Sequence, residues 1–194
     1  MSTSSGAPSG TPSRGSSTAA SPATTAANGR TPKQQFLDAY EREHETTMRV
    51  LRSYPADRTD LRPHPRCKTA LELAWVFVLE RQLGTMLYND AFASGPPDGE
   101  SPPPPESWDE ILDSIEIAHR DFADLIRSAA DDDLGKTVTF FTAPKTMGHV
   151  PRMDLLWFLL HDEIHHRGQF SVYLRMADGK VPSIYGPSAD EPWM

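Results

Sequence analysis

Three of the chain's seven histidines, His161, His165 and His166, fall in one short run beside Asp162, and Asp162 and His166 are spaced as i and i+4. On a helix that spacing stacks a carboxylate and an imidazole on one face, a pair able to share a proton or to hold a divalent ion. With Asp162 at zero and about 100° per residue, Leu155 and Tyr173 fall near 20° and Phe158 and Met176 near 320°. The buried stripe is therefore expected to centre on Asp162, with His166 at about 40° and Gln169 at about 340° facing inward. His165, near 300°, sits at its border, and His161, near 260°, lies off it. A desolvated carboxylate is costly without a positive or donating partner. Either an Asp–His hydrogen-bonded pair in an apolar interior or a metal ion answers that cost.

Other stretches offer further polar groups on apolar faces. His44 shares a three-four stripe with Tyr40, Thr47 and Leu51; His119 follows Ile115 by one turn and lies close to Phe122; Glu80 belongs with Leu73, Val76, Leu83 and Leu87. Each alone suits a boundary residue with its tip in water. Together they point to one polar pocket between several helices. Imidazoles and carboxylates at about 2.0–2.2 Å suit Zn²⁺ or another borderline divalent ion, and three ligands leave a position open for a water that could act as a nucleophile. The spacing does not choose among Zn, Ni, Fe and Mn, and Asp-x-x-x-His is not the His-Glu-x-x-His zincin motif.

The elements that must position these groups are legible from periodicity and capping residues. Phe36, Tyr40, His44, Thr47, Leu51 and Tyr54 predict a first helix that ends before Pro55, with Pro32 suited to its first turn. Thr69 and Glu72 form the capping-box pattern of a second helix, from Ala70 to about Ala91. Ser94 to Glu106, with six prolines and two glycines, is a surface loop. Ser107 and Glu110 open a third helix whose apolar face runs through Ile111, Ile115, Phe122 and Ile126 and which closes at Asp131 to Asp133. Lys136 to Phe141 alternate and are β-branched or aromatic, which predicts a short extended piece or hairpin before Pro144. A fourth helix runs from Arg152 to Gly179 and, being apolar almost all round from Leu155 to Leu160, is expected to be central.

Residues 1–30 are built almost wholly of Ser, Thr, Ala, Gly and Pro and are expected to form a disordered tail, leaving one helical domain over 31–194. A net charge of −8 and a sequence pI near 5.3 argue against nucleic acid as a partner. A single cysteine, Cys67, excludes an internal disulfide and a multi-cysteine zinc site. The sequence lacks a secretory signal and any long unbroken apolar run, so no membrane partner and a cytoplasmic location are expected.

The run His161-Asp-Glu-Ile-His-His-Arg-Gly-Gln169, followed by Val172-Tyr-Leu-Arg175 and by Val181-Pro-Ser-Ile-Tyr-Gly-Pro-Ser-Ala-Asp190, closely resembles the C-terminal half of DinB/YfiT-like domains. Leu71-Glu-Leu-Ala-Trp75 resembles the corresponding helix-two segment of that family, and the likeness spans roughly residues 33–194. It implies an all-α four-helix bundle, here with a short extended segment or hairpin before the last helix, often assembled as a homodimer. It also implies a divalent-metal site made by one histidine on helix two and two histidines four apart on helix four. His166 matches the second of those two; the first falls on Asp162, and the helix-two position falls at about Val76, which has no donor atom. His44, His119 or Glu80 then completes a rearranged site, or the metal has been lost. The regular stripe of helix one favours His44, so the expected metal set is His44, Asp162 and His166. The resemblance further implies metal-dependent hydrolysis, thiol transfer using a low-molecular-weight thiol, isomerisation, or a stress-associated role without a known reaction. Two expectations follow. One is a metal-dependent hydrolase or thiol transferase acting on a small molecule, with His165 or Glu80 moving protons; the other is a non-catalytic stress-response or ligand-binding bundle whose polar pocket has lost its metal.

Overall fold

The first helix, α1, spans Pro32–Arg52, and its apolar stripe is buried as its spacing demands: Phe36, Tyr40, Met48 and Leu51 are each at most 3 % exposed. Thr31 caps it in a reciprocal box with Gln34, and Pro32 occupies the first turn, where its missing N–H costs nothing. In the computed structural model, residues 29–97 and 99–194 are described; nearly all of the expected N-terminal tail lies outside them. Four more helices follow, α2 (Ala70–Tyr88), α3 (Trp108–Ser128), the single-turn α4 (Asp131–Leu134) and α5 (Arg152–Met176). Thr69 and Glu72 form a complete capping box on α2, whereas Ser107 caps α3 by accepting from Glu110 alone. Between α4 and α5 the expected hairpin is a two-stranded antiparallel pair, β1 (Thr137–Ala143) and β2 (Thr146–Pro151). Pro144 and Lys145 make its turn, with Lys145 at φ +60°.

The fold is thus mostly helical with one small strand pair. The long helices pack chiefly as α1 on α3, α3 on α2, α2 on α5 and α5 on α1, while the hairpin leans on α2 and α5. Two apolar clusters fill the interior. One gathers Leu51, Phe77, Ile111, Ile115, Phe170 and Leu174, the other Phe36, Leu87, Phe122, Ile126, Leu156 and Leu160. Each such side chain contributes about 1.5–3 kcal/mol by leaving water. Gly84 marks the closest approach of α2, because a Cβ there would lie 2.8 Å from the Phe122 ring. No helix among the described residues is long and apolar enough to cross a membrane.

One expectation about α5 is corrected. Phe158 and Met176, placed on the buried stripe by the helical wheel, are 52 % and 45 % exposed, and Gln169 is exposed too. The buried side instead runs through Leu156, Leu160, Glu163, Arg167, Phe170 and Leu174. The stripe is therefore rotated by about 90°, roughly one residue, from the position centred on Asp162. Two features hid the rotation. The run Leu155 to Leu160 is apolar on every side and carries little phase, and the two charged residues that mark the true centre, Glu163 and Arg167, are paired inside the protein.

Candidate metal centre

Rotation of α5 leaves Asp162 and His166 at the edge of the buried stripe, facing α2 rather than the middle of the protein. There they meet Glu80. One ligand atom from each of Glu80, Asp162 and His166 lies within 4.8 Å of the other two. His166 Nδ1 is 2.5 Å from Glu80 Oε1 and 3.9 Å from Asp162 Oδ1, and the imidazole meets the Phe77 ring edge to face. Glu80 is 8 % exposed, and its Oε2 has no protein hydrogen-bond partner. Burial pushes the Glu80 carboxyl up to about 7, against the opposing pull of His166, while the hydrogen bond that His166 donates to Glu80 holds the imidazole above its ordinary value.

The cluster forms part of the wall of a groove of about 460 Å³ between α2, the middle of α5 and the proline-rich loop. Val76, one turn before Glu80 on α2, lines the same groove. The set of two carboxylates and one imidazole suits Mn, Fe or Zn divalent ions, and three protein donors leave coordination positions toward the groove. The unpartnered, buried Oε2 of Glu80 fits this reading, because a buried carboxylate oxygen needs a positive or donating neighbour.

The structure brings Asp162 and His166 together and does not bring His44 to them; the third donor of the cluster is Glu80. His44 is turned toward α3. Its Nε2 is 3.0 Å from Glu116 Oε2, its Nδ1 is 3.5 Å from Arg81 Nη2, and its ring stacks on that of His119 with 3.6 Å between centroids. His119 in turn places Nε2 2.8 Å from Glu41 Oε2. The two imidazoles thus cross-brace α1 and α3, each reaching a carboxylate on the other helix. Burial lowers the pKa of both, and that of His119, which also faces His44 and Arg81, falls to about 3. His44 misses the cluster because its ring is turned to α3, where it meets Glu116 and His119, whereas Glu80 on α2 meets His166 on α5. His161 and His165 are exposed, and His165 Nε2 lies 2.8 Å from the Gln169 amide rather than in the cluster.

A second polar system, not anticipated from sequence, sits deeper. Arg81 donates to Glu163 Oε2 at 3.0 Å, and Thr47 donates to Glu163 Oε1 at 2.8 Å. Arg167 pairs with Glu43 at 2.8 Å, and Tyr185 reaches in from the C-terminal segment, its hydroxyl donating to Glu43 Oε2 and accepting from Arg167 Nη2, each at 2.5 Å. The available signal was the i, i+4 spacing of Glu163 and Arg167 in register with Leu156, Leu160, Phe170 and Leu174.

A helical protein with a carboxylate–histidine cluster in a groove between two helices is the class that fold and site define. Residues 27–193 match the family model of the DinB family, and the chain belongs to that family. It is 29 % identical over 157 residues to the uncharacterized protein YrdA of Bacillus subtilis, covering 80 % of this chain and 89 % of the relative. A solved DinB-like protein from Bacillus cereus superposes with a TM-score of 0.63 at 26 % identity, over 77 % of this chain and 95 % of the other. A DinB-like protein from Bacillus subtilis gives a TM-score of 0.61 over 82 % and 99 % of the two chains; at 15 % identity it shows the shared fold alone.

Proposed function

We propose that the chain is a metal-binding four-helix-bundle protein that holds a divalent cation with Glu80, Asp162 and His166 and uses it on a small molecule bound in the adjoining groove. The observation that carries this reading is the convergence of three potential ligand atoms within 4.8 Å at the wall of a groove large enough for a small ligand. A bound ion would supply Lewis acidity at that wall, which serves hydrolysis or activation of a thiol. His166 and Glu80 come from different helices, so their separation is set by the packing of α2 on α5 rather than by a flexible loop. Glu80, with its raised pKa, is also placed to hold a proton at its Oε1 or Oε2 when no cation is near.

Titration of chelator-treated protein with Mn²⁺, Zn²⁺ and Ni²⁺ by isothermal calorimetry tests the reading. One ion per chain is expected, with binding lost in both Glu80→Gln and His166→Gln. A protein that takes up none of these ions, or whose uptake is unchanged in the two variants, contradicts it. One observation favours a second reading, a non-catalytic bundle: at 2.5 Å the Glu80–His166 contact already pairs the imidazole with Glu80 Oε1 in the absence of any ion. In that case the two variants lower thermal stability and leave metal uptake where it was.

A further inference from the structure

The groove over the cluster does not end at Val76. A second groove, of about 430 Å³, continues it toward the N-terminus of α2, and Val76, Leu79, Ser101 and Pro102 line both. The two halves carry opposite charge. Around the cluster the charged lining groups are Glu80, Glu100, Asp162 and the imidazole of His166, and no Lys or Arg is among the described lining residues. The continuation is lined by Arg62, Arg66 and Lys68 against one carboxylate, Glu72, which pairs with Arg62 at 3.6 Å. Arg66 and Lys68 have no ion-pair partner among the described residues. Their backbone is nonetheless held, since Tyr173 Oη donates to the Lys68 carbonyl at 2.9 Å and Cys67 N–H donates to the His64 carbonyl at 2.8 Å.

We infer that the two grooves form one elongated cleft that takes a rod-shaped organic anion. Its acidic head sits at Arg66 and Lys68, its apolar body crosses Val76 and Leu79, and its far end is delivered to the Glu80–Asp162–His166 cluster. The basic end sets the direction of binding, because Arg66 and Lys68, unpaired among the described residues, attract an anionic head, while no Lys or Arg lines the described wall at the cluster end. The length follows largely from the helix: Ala70, the first residue of α2, and Glu80 are ten positions apart, about 15 Å along the axis at 1.5 Å per residue, and Lys68 stands two residues before that start, with the reach of its side chain to be subtracted. A compact dianion would fill only the basic end. The inference deepens the proposed function by naming the class of molecule that its groove accepts, and it rests on that groove being the binding site.

Cys67, the only cysteine of the chain, is exposed and lines the basic half, so its alkylation rate reports occupancy directly. Decanoate, decylamine and decanol, each below its aggregation limit, are compared for their effect on iodoacetamide labelling of the full chain. The ratio of rates with and without each probe is read by mass spectrometry. Decanoate is expected to slow labelling about tenfold at a concentration where the amine and the alcohol slow it less than about twofold, a difference of order 1 kcal/mol in binding. Arg66→Glu with Lys68→Glu should abolish the protection, and Arg66→Lys should keep it. Leu79→Asp, in the wall shared by both grooves, supplies a second removal that leaves the basic end intact. Glu80→Gln, which removes a metal ligand, should retain protection by decanoate, so that failure of the cleft and failure of the metal site are read on separate measurements. Equal protection by decylamine, or protection that survives the Arg66→Glu, Lys68→Glu double variant, overturns the inference.

Discussion

Val76 and Glu80 stand one turn apart on α2 and line the same groove, so the position where the family resemblance calls for a metal-binding histidine is occupied by valine while the next turn supplies a buried carboxylate. Moving a donor by one turn shifts it by about 5.4 Å along the helix, a distance that an ion can follow if the facing helix offers ligands at both levels. Asp162 and His166 on α5 are themselves one turn apart and do so. Val76→His should therefore add a fourth donor and tighten Zn²⁺ or Ni²⁺ binding about tenfold or more. In a Glu80→Gln background the same histidine should restore binding lost with the carboxylate. Calorimetric titration checks both; a Val76→His protein with unchanged affinity would show that the two positions do not serve one site.

His166 and His44 separate metal binding from stability. His166→Ala is expected to lose metal, whereas His161→Ala, which alters an exposed residue, is expected to leave it unchanged. His44→Ala should keep metal affinity yet destabilise the fold by about 1–3 kcal/mol, because it removes a buried stacking partner of His119 and a hydrogen bond to Glu116. Paired metal titrations and urea melts measure these effects. A His44→Ala protein that lost metal at full stability would return that residue to the ligand set.

Much of the fold was legible because the apolar spacing of α1 and α3 has one clear phase. Phe36, Tyr40, Leu51, Ile111, Ile115, Phe122 and Ile126 all reach the core as their spacing requires. The site was half legible. Asp162 and His166 announce themselves by spacing, but Glu80 on α2 was only one of three partners compatible with the periodicity. Choosing among them requires knowing which face of each helix meets which neighbour, and His44 and His119 are turned toward each other between α1 and α3. Arg81, Glu163, Glu43 and Arg167 were not legible as core residues, since a charged side chain reads as a solvent-facing one until its partner on a distant segment is known. The partners of Arg167 are Glu43 on α1 and Tyr185 beyond α5.

The stacked imidazoles impose a pH dependence of definite sign. Unfolded, His119 takes a proton near pH 6.5; folded, burial beside His44 and Arg81 holds it neutral down to about 3. Between those values the unfolded chain binds more protons, so this group's contribution to stability is complete above about pH 6.5 and is lost progressively as pH falls toward 3. Glu80 and His166, both raised, act in the opposite direction, which makes a difference measurement necessary. The stability advantage of wild type over His119→Gln should shrink as pH drops from about 7 to about 4. An advantage that stayed constant across that range in denaturant melts would show that His119 titrates normally.

Arg167, 1 % exposed, is the least exposed charged residue among the described residues, and four groups hold it: the Glu43 carboxylate, the Glu43 carbonyl at 3.1 Å, the Thr47 hydroxyl at 3.4 Å and the Tyr185 hydroxyl, with the guanidinium also lying over the Tyr185 ring. Removing one member of such a set costs more than the set contributes, because the charge left behind remains desolvated. Arg167→Ala should therefore lower stability by about 3–5 kcal/mol, through the stranded Glu43 carboxylate. Glu43→Gln with Arg167→Met, which removes both charges while keeping side-chain bulk, should recover most of that loss. Tyr185→Phe keeps the ring over the guanidinium but deletes the hydroxyl that links Glu43 to Arg167, and about 1–2 kcal/mol is expected from it. The tyrosine ring is largely exposed, so its substitution tests the polar tether rather than core packing. Hydrogen exchange should show the amides of the C-terminal segment around Val181 and Ser183 losing protection in Tyr185→Phe while those of α1 and α5 keep it. If Tyr185→Phe melts and exchanges as wild type does, the C-terminal segment is held by other contacts, of which the Asp190 and Glu191 carboxylates accepting from the Val181 and Ser183 amides are the foremost.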